Sequence, residues 1–398
     1  MNILVTGGQG FLGKNLVASL RNIKDGKDRT HDIRIDEVFV YDVGSSPAEL
    51  EAYCAQADFV FHLAGVNRPR EDGDFAKGNV DLTIALLQAL ARSGNHCPVM
   101  LASSIQASLV GAYASSAYGR SKRQAEKELT DYGRLSGSEV LIYRFPNLFG
   151  KWSRPNYNSV VATFCYNIAR GLPIRIDDPA KELELLYIDD VVAELLRTLS
   201  GQRRRCDYAG IDVVENPAGA FCYVSGSHRV SLGRIASLLA GFSRLPETLA
   251  IAPMGPGSFE KKLFSTYLSF LPPSRACFPL AGHPDARGCF TEILRRAGDG
   301  QISVNVSHPG IVKGEHWHHS KWEVFVVVSG QALIQERMVG GDEVTSFEVS
   351  GSALQAVIML PGYAHSIANA SSSEDLVTLI WANESFDPAH PDTFAEKV

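Results

Sequence analysis

Two rhythms of hydrophobic and polar residues divide the chain. Over the first 200 residues, short apolar runs (Ile3–Val5, Glu37–Tyr41, Phe59–Leu63, Val99–Ala102 and Val140–Arg144) alternate with amphipathic stretches such as Leu12–Leu20, Val80–Ala91 and Ser121–Tyr132. The runs fit buried strands and the stretches fit helices with one apolar side. Their alternation predicts an α/β fold, a Rossmann-type doubly wound parallel sheet with helices on both faces. After about residue 278 the rhythm changes. Ile302–Val306, Glu323–Val328, Ala332–Gln335, Thr345–Val349, Ala356–Met359 and Leu376–Trp381 are short β-type runs separated by Gly, Pro and Asn. No long helical period intervenes, which predicts an antiparallel all-β sandwich or jelly roll. In between, Ser231–Leu239 reads as a helix, and Pro253, Gly255, Pro256, Gly257, Pro272 and Pro273 read as a linker. The expected domains are therefore 1–245 and 277–398, joined by a linker over 246–276.

Composition narrows the class. A chain of 398 residues, at roughly 150 per domain, has room for two or three domains. Apolar residues make up 45% and charged residues 21%, which excludes a mostly disordered or collagen-like chain. Lys and Arg number 38 against 44 Asp and Glu, a net charge of −6, so no electrostatic pull toward nucleic acid or an acidic membrane is expected. Seven cysteines without a CxxC pair argue against a disulfide framework and a Cys-rich zinc site. No apolar run approaches the ~20 residues of a membrane span. The chain opens on Asn2-Ile3-Leu4-Val5-Thr6, without a basic-then-apolar lead, and a cytoplasmic location is expected.

Chemistry-bearing residues cluster in both halves. Gly7, Gly10 and Gly13 follow the first strand and open the first helix with the spacing GxxGxxG. Glycine lets the backbone turn tightly and approach a pyrophosphate, whose charge sits at the positive helix N-terminus. Asp42 closes the second strand, where an acid accepts hydrogen bonds from the adenosine ribose and repels a 2′-phosphate, which leans toward NADH. Tyr118 and Lys122 form YxxxK and share a helix face. A phenol with a pKa near ~10 is a poor acid at neutral pH; a nearby ammonium stabilises the phenolate and brings proton transfer into range. Ser103 and Ser104 end the preceding strand, and Ser104 is favoured as the hydroxyl that meets a substrate carbonyl.

Gly310, His316, His318, Glu323 and Gly330 have the spacing Gx5HxHx4Ex6G, and Gly362, His365 and Asn369 follow as Gx2Hx3N. Within a strand, His316 and His318 point to one face. With Glu323 and His365 they form a plausible ligand set for a divalent transition metal.

The first three pieces, in their order, resemble the extended short-chain dehydrogenase/reductase family over residues 1–240. His62-Leu63-Ala64-Gly65, Asn79-Val80, Arg144-Phe145-Pro146-Asn147-Leu148-Phe149-Gly150 and Tyr187-Ile188-Asp189-Asp190-Val191 match as well. The resemblance implies a nicotinamide dinucleotide held by the glycine turn with Phe11, Ala64 and Lys122, and a nucleotide-sugar substrate near Arg144, Asn147 and Asn158. The His/Glu pattern resembles the cupin family. Asp285-Ala286-Arg287-Gly288-Cys289-Phe290-Thr291-Glu292 resembles the entry motif of cupin epimerases of 4-keto sugars. That likeness implies a phosphate contact for Arg287 and a catalytic base, rather than a ligand, at His316.

Nearly the whole chain resembles one family, the bifunctional capsular polysaccharide enzyme of UDP-N-acetyl-L-fucosamine synthesis. The stretches are Ala64–Pro69, Pro146–Trp152, Pro155–Val160, Tyr267–Pro272, Lys313–Lys321 and Asn383–Pro388. It implies a reductase fused to a zinc-bearing cupin in a homodimer. The substrate would be a UDP-linked 4-keto-6-deoxy amino sugar, epimerised at carbon 3 and then reduced at carbon 4. It associates the family with NADPH, against the lean of Asp42. The carbon-3 base stays open among Lys321, His319, His316 and Tyr363, with Lys321 also taken as a substrate residue. Two alternatives remain: a reductase whose cupin only dimerises or senses, and a non-enzymatic NAD(P)- and metal-binding regulator. Binding alone needs no proton donor, so Tyr118 and Lys122 argue against the second.

Overall fold

A computed structural model describes residues 1–69, 71, 73–296, 300–385, 387–389 and 391–398. Phe386 of the Asn383–Pro388 stretch lies outside them. The chain divides into two compact units: residues 1–239 with 261–271, and 240–260 with 272–398.

The first unit is built on β1 (Asn2–Thr6), β2 (Glu37–Tyr41), β3 (Phe59–His62), β4 (Val99–Ser104) and β5 (Val140–Phe145). They pair in parallel in the order β2-β1-β3-β4-β5, and Phe221–Cys222, Arg205–Ala209 and Asp212–Glu215 extend the sheet beyond β5. Side-chain alternation feeds two cores. Ile3, Val5, Phe61, Met100 and Leu141 pack on one face with the helix Ile188–Leu199, while Leu4, Val60, Leu101 and Ile142 pack on the other with Leu86, Leu90 and Leu129. The central strands β1, β3 and β4 are buried along nearly their whole length because both faces are covered, while the edge strand β2 is more exposed. The sheet carries α1 (Phe11–Lys24), α2 (Pro47–Cys54), α3 (Leu82–Ser93) and α4 (Ala117–Ser136). Ser116 caps α4 by accepting from Gly119 N at 2.9 Å, and Gly137 at φ 79° ends it, so α4 runs further than the apolar periodicity alone indicated. The chain leaves β1 outward to β2 and returns on the other side to β3. That reversal opens a crevice at the carboxyl ends of β1 and β3.

The second unit is all-β. One sheet orders Ala250–Ile251, Gly288–Arg296, Gly300–Ser307, Leu376–Ala382, Glu323–Ser329 and Ala356–Met359. The other orders Val344–Ser350, Gln331–Met338, Tyr363–Asn369, Val312–Trp317 and Phe394–Ala395. Phe325, Val327, Ile334, Val349, Met359 and Ile367 form its buried core. The stretch 246–276, read as a linker from its Pro and Gly, carries the helix Phe259–Phe270. Leu263 and Tyr267 of that helix are buried, at 0% and 4% exposed. Among the described residues no helix is long and apolar enough to cross a membrane. All seven cysteines are unpaired.

Candidate active site and metal centre

The glycine turn lies at the crevice. Gly7, at φ 70°, bonds its N–H to Tyr41 O at 2.8 Å. A β-carbon on it would come within 2.7 Å of the Ala64 backbone. On Gly13 a β-carbon would fall 2.1 Å from Gly7 O, so only glycine lets α1 start this close to β1. Gly10 is the N-cap of α1 and has no side-chain cap, which leaves the helix N-terminus open to an anion. Asp42 is engaged on both oxygens: Oδ2 accepts from Gln9 N at 2.7 Å and Oδ1 from Val43 N at 2.8 Å. A cleft of about 600 Å³ runs from Gly7, Gly10, Phe11 and Gly13 past Ser104, Tyr118 and Lys122 to Asn147 and Asn158. These residues fit a dinucleotide: a glycine cradle, an open helix end and an acid beside it.

Ser104, Tyr118 and Lys122 meet beside that cleft. Burial pushes the Tyr118 phenol up to about 12, opposed by a hydrogen bond with Ser104. Burial pulls the Lys122 ammonium down to about 8, opposed by Glu126. Lys122 Nζ donates to Ala102 O at 2.9 Å. Asn79 ties this floor together. Its Nδ2 donates to Val66 O and Ser121 Oγ, both at 2.9 Å, and its Oδ1 accepts from Val66 N at 2.8 Å. Asn79 was legible only as a family match, because its role depends on three segments meeting.

Other residues fall elsewhere. Arg144 is not among the cleft-lining residues. It makes a two-pronged pair with Glu126, at 2.8 and 2.6 Å, and lies over Phe221 at 4.2 Å. Glu126 also accepts from Ser103 Oγ at 2.5 Å. Arg144 is thus turned toward Glu126 and Phe221 and does not line the cleft. Ala64 is not a lining residue either, but it backs the turn, donating its N–H to Thr6 Oγ1 at 3.3 Å. Asn147 lines the cleft while its Nδ2 donates to Glu184 O at 3.2 Å. His62 is buried between Thr6 and Thr83 at 2.7 and 2.8 Å, and burial pulls its imidazole down to about 3, which makes it a neutral packing residue.

In the second unit, His316, His318, Glu323 and His365 each turn one ligand atom to a common point, all within 4.8 Å of one another. His316 sits opposite His365 across paired strands, after a bulge at Glu315, where Gly314 and Glu315 stand at φ 90° and 56°. Burial lowers His316 and takes His365 to about 4, so both rings are neutral lone-pair donors at neutral pH. His318 Nδ1 lies 2.5 Å from Asp392 O. A carbonyl only accepts, so Nδ1 carries the proton and Nε2 the lone pair. That Nε2 faces Glu323 Oε2 at 3.8 Å, and His365 Nε2 faces the same oxygen at 3.7 Å. His318 Nε2 and both ring nitrogens of His365 are buried without a hydrogen-bond partner. Buried, unpartnered imidazole nitrogens facing a carboxylate fit a cation, and three imidazoles with one carboxylate fit zinc. Lys321 Nζ lies 3.6 Å from Glu323 Oε1. His319 instead packs against Trp317 and Phe394, with ring centroids at 4.6 and 4.9 Å. Arg287 is exposed and paired with Asp285 at 2.7 Å. Asp392, on no motif, was missed.

Residues 3–206 match the NAD dependent epimerase/dehydratase family, and 283–394 match the polysaccharide biosynthesis C-terminal domain. The chain belongs to the NAD dependent epimerase/dehydratase family. It is an epimerase/dehydratase-family chain with a second, all-β unit, and it has relatives that match along its full length. One, the UDP-2-acetamido-2,6-beta-L-arabino-hexul-4-ose reductase of Pseudomonas aeruginosa, is 39% identical over 395 residues, covering 99% of this chain and 98% of the relative. The capsular polysaccharide assembling protein CapF from Staphylococcus aureus is 43% identical, with a TM-score of 0.87 over 100% of both chains. WbmF of Bordetella bronchiseptica, solved with NAD+, is 17% identical with a TM-score of 0.52, covering 67% of this chain and 92% of that one; it shares the fold.

Proposed function

We propose that this chain is a bifunctional nucleotide-sugar enzyme of polysaccharide synthesis. The first unit reduces the carbon-4 ketone of a UDP-linked 2-acetamido-2,6-dideoxy-4-hexulose, and the second inverts carbon 3, giving UDP-2-acetamido-2,6-dideoxy-L-talose. The observation that carries this reading is the full-length likeness to a UDP-sugar reductase, joined to a Ser104, Tyr118 and Lys122 group at a cleft.

Gly7, Gly10, Phe11 and Gly13, with Asp42, Ala64 and Lys122, would hold NAD(P)H. When bound, it supplies a hydride for the ketone carbon. Tyr118 donates the proton to the carbonyl oxygen, and Ser104 hydrogen-bonds that oxygen. Because burial holds the phenol near 12, the Lys122 charge is needed to stabilise the phenolate left behind. Asn147 and Asn158 contact the substrate along the cleft, and Arg287 contacts it in the second unit. The carbon-3 proton is acidified by the neighbouring ketone. With His316 committed as a ligand in this reading, the acceptor of that proton is Lys321, His319 or Tyr363. His316, His318, Glu323 and His365 would hold zinc, which supplies fixed positive charge where the sugar oxygen gains negative charge. A homodimer is part of this proposal and is checked by light scattering.

The decisive experiment separates the two steps. In deuterated water, Tyr118→Phe should abolish NAD(P)H oxidation while deuterium still enters at carbon 3, read by NMR of the sugar. Equal loss of both activities would mean that there is one site, not two. A wild-type chain that oxidises NAD(P)H with no exchange would leave a reductase alone.

A further inference from the structure

We infer that Asp392 is a positioning residue for the metal centre: its carbonyl fixes the ring of His318, and its carboxylate holds the backbone that follows. This rests on the reading of His316, His318, Glu323 and His365 as zinc ligands.

The contacts converge on one residue far along the chain. The carbonyl of Asp392 accepts from His318 Nδ1 at 2.5 Å, which selects the tautomer whose Nε2 faces Glu323. Its Oδ1 accepts from His319 N at 2.9 Å. Its Oδ2 accepts from Ser320 N and Lys321 N at 2.9 Å each, and from Ser320 Oγ at 3.2 Å. Three successive backbone N–H groups closing on one carboxylate make an anion nest, here filled by the protein's own side chain. The nest sets the path of the backbone from His318 to Lys321, on the way to Glu323. Asp392 itself stands at φ 37°, in the left-handed region, which Asp tolerates better than most residues. The surrounding segment is anchored independently. Phe394 and Ala395 pair with Trp317 and His316, and Glu396 N donates to Glu315 O at 2.9 Å. Arg337 Nη2 donates to Glu396 Oε1 at 2.8 Å. Residue 392 is thus held between a strand bearing one ligand and a loop bearing another. Partners that orient a ligating imidazole and fix its tautomer typically change metal affinity about 10–100-fold when lost.

The test uses the full-length chain as wild type, Asp392→Asn, Asp392→Gly and Asp392→Ala. Zinc affinity is measured by competition with a chromophoric chelator, and ligand geometry by the visible absorption of the cobalt(II)-loaded protein. NADH binding and Tm report folding. Gly relieves the backbone strain but removes the carboxylate, Ala does neither favour, and Asn keeps one acceptor oxygen and tolerance of φ 37°. The expected result is a zinc affinity about 10–100-fold weaker for Asp392→Gly and Asp392→Ala, with a changed cobalt spectrum. Asp392→Asn, the variant least disruptive to folding, should lie between these and wild type. Asp392→Gly with wild-type affinity and spectrum would overturn the inference while leaving the zinc reading intact. A wild-type chain that takes up no zinc would overturn both.

Discussion

Asp42 serves the fold and, in the function proposed, the cofactor as well. Its two oxygens hold the N–H groups of Gln9 and Val43, tying the end of β2 to the glycine turn. Its negative charge therefore stands in a fixed place beside the open N-terminus of α1, where a 2′-phosphate would be repelled. NADH is accordingly expected to outperform NADPH in kcat/KM. Asp42→Ser, which keeps one acceptor and removes the charge, should shift that ratio toward NADPH by about tenfold, or ~1.4 kcal/mol. Steady-state kinetics with both cofactors check this; a wild-type preference for NADPH would sink it. The placement of Tyr118 and the glycines along the cleft, with Asp42 beside the glycine turn, was legible because residue type and sequence spacing mark a strand-to-helix turn and a helix face. The pairing of Arg144 with Glu126 was not legible, because a motif records that an arginine is present, not which way it faces.

Within α4, Tyr118, Lys122 and Glu126 recur every four residues and line one face. The first two face the cleft. The third meets Arg144 of β5 and Ser103 of β4 in a nearly dry pair, with side chains 7% and 11% exposed for Glu126 and Arg144. The pair fixes the helix against β5, the Ser103 bond fixes it against the strand that carries Ser104, and the Glu126 carboxylate opposes the loss of the Lys122 proton. Reduction should therefore fall as pH rises through about 8, where Lys122 deprotonates. Glu126→Gln removes the charge that raises that value and leaves Arg144 uncompensated, so the alkaline limb of the kcat/KM profile should move to lower pH. An unmoved limb would show that the pair does not act on Lys122. Stability should also drop, by about 3–5 kcal/mol, because a buried guanidinium loses its partner.

Across the whole molecule, the boundary between units does not follow the Pro- and Gly-rich stretch. Residues 261–271 belong to the first unit although they lie beyond the expected linker start. Lys262 pairs with Asp190 at 2.7 Å, and Arg170 donates to Phe270 O at 3.0 Å. A fragment 1–245 lacks these contacts, so its Tm should fall below that of a fragment 1–271, measured by differential scanning calorimetry. Equal values would mean that the helix adds nothing to the first unit. Burial of an apolar side chain such as Leu263, 0% exposed in the whole chain, contributes at most about 1.5–3 kcal/mol to that difference.

The alternation of apolar and polar residues was enough to determine a parallel α/β unit followed by a β unit, since period and turn residues are local properties. The glycine turn, YxxxK and the His/Glu set were equally readable, because each chemistry needs those side chains at a set spacing. What surrounds them was decided only by tertiary contact. Asn79 reaches Val66 and Ser121, Glu126 reaches Arg144, and Asp392 reaches His318 across 74 residues of chain. No local period records such pairings. A buried polar group must find its partner wherever the fold brings one, and that place is set by how sheets and helices stack, not by position along the sequence.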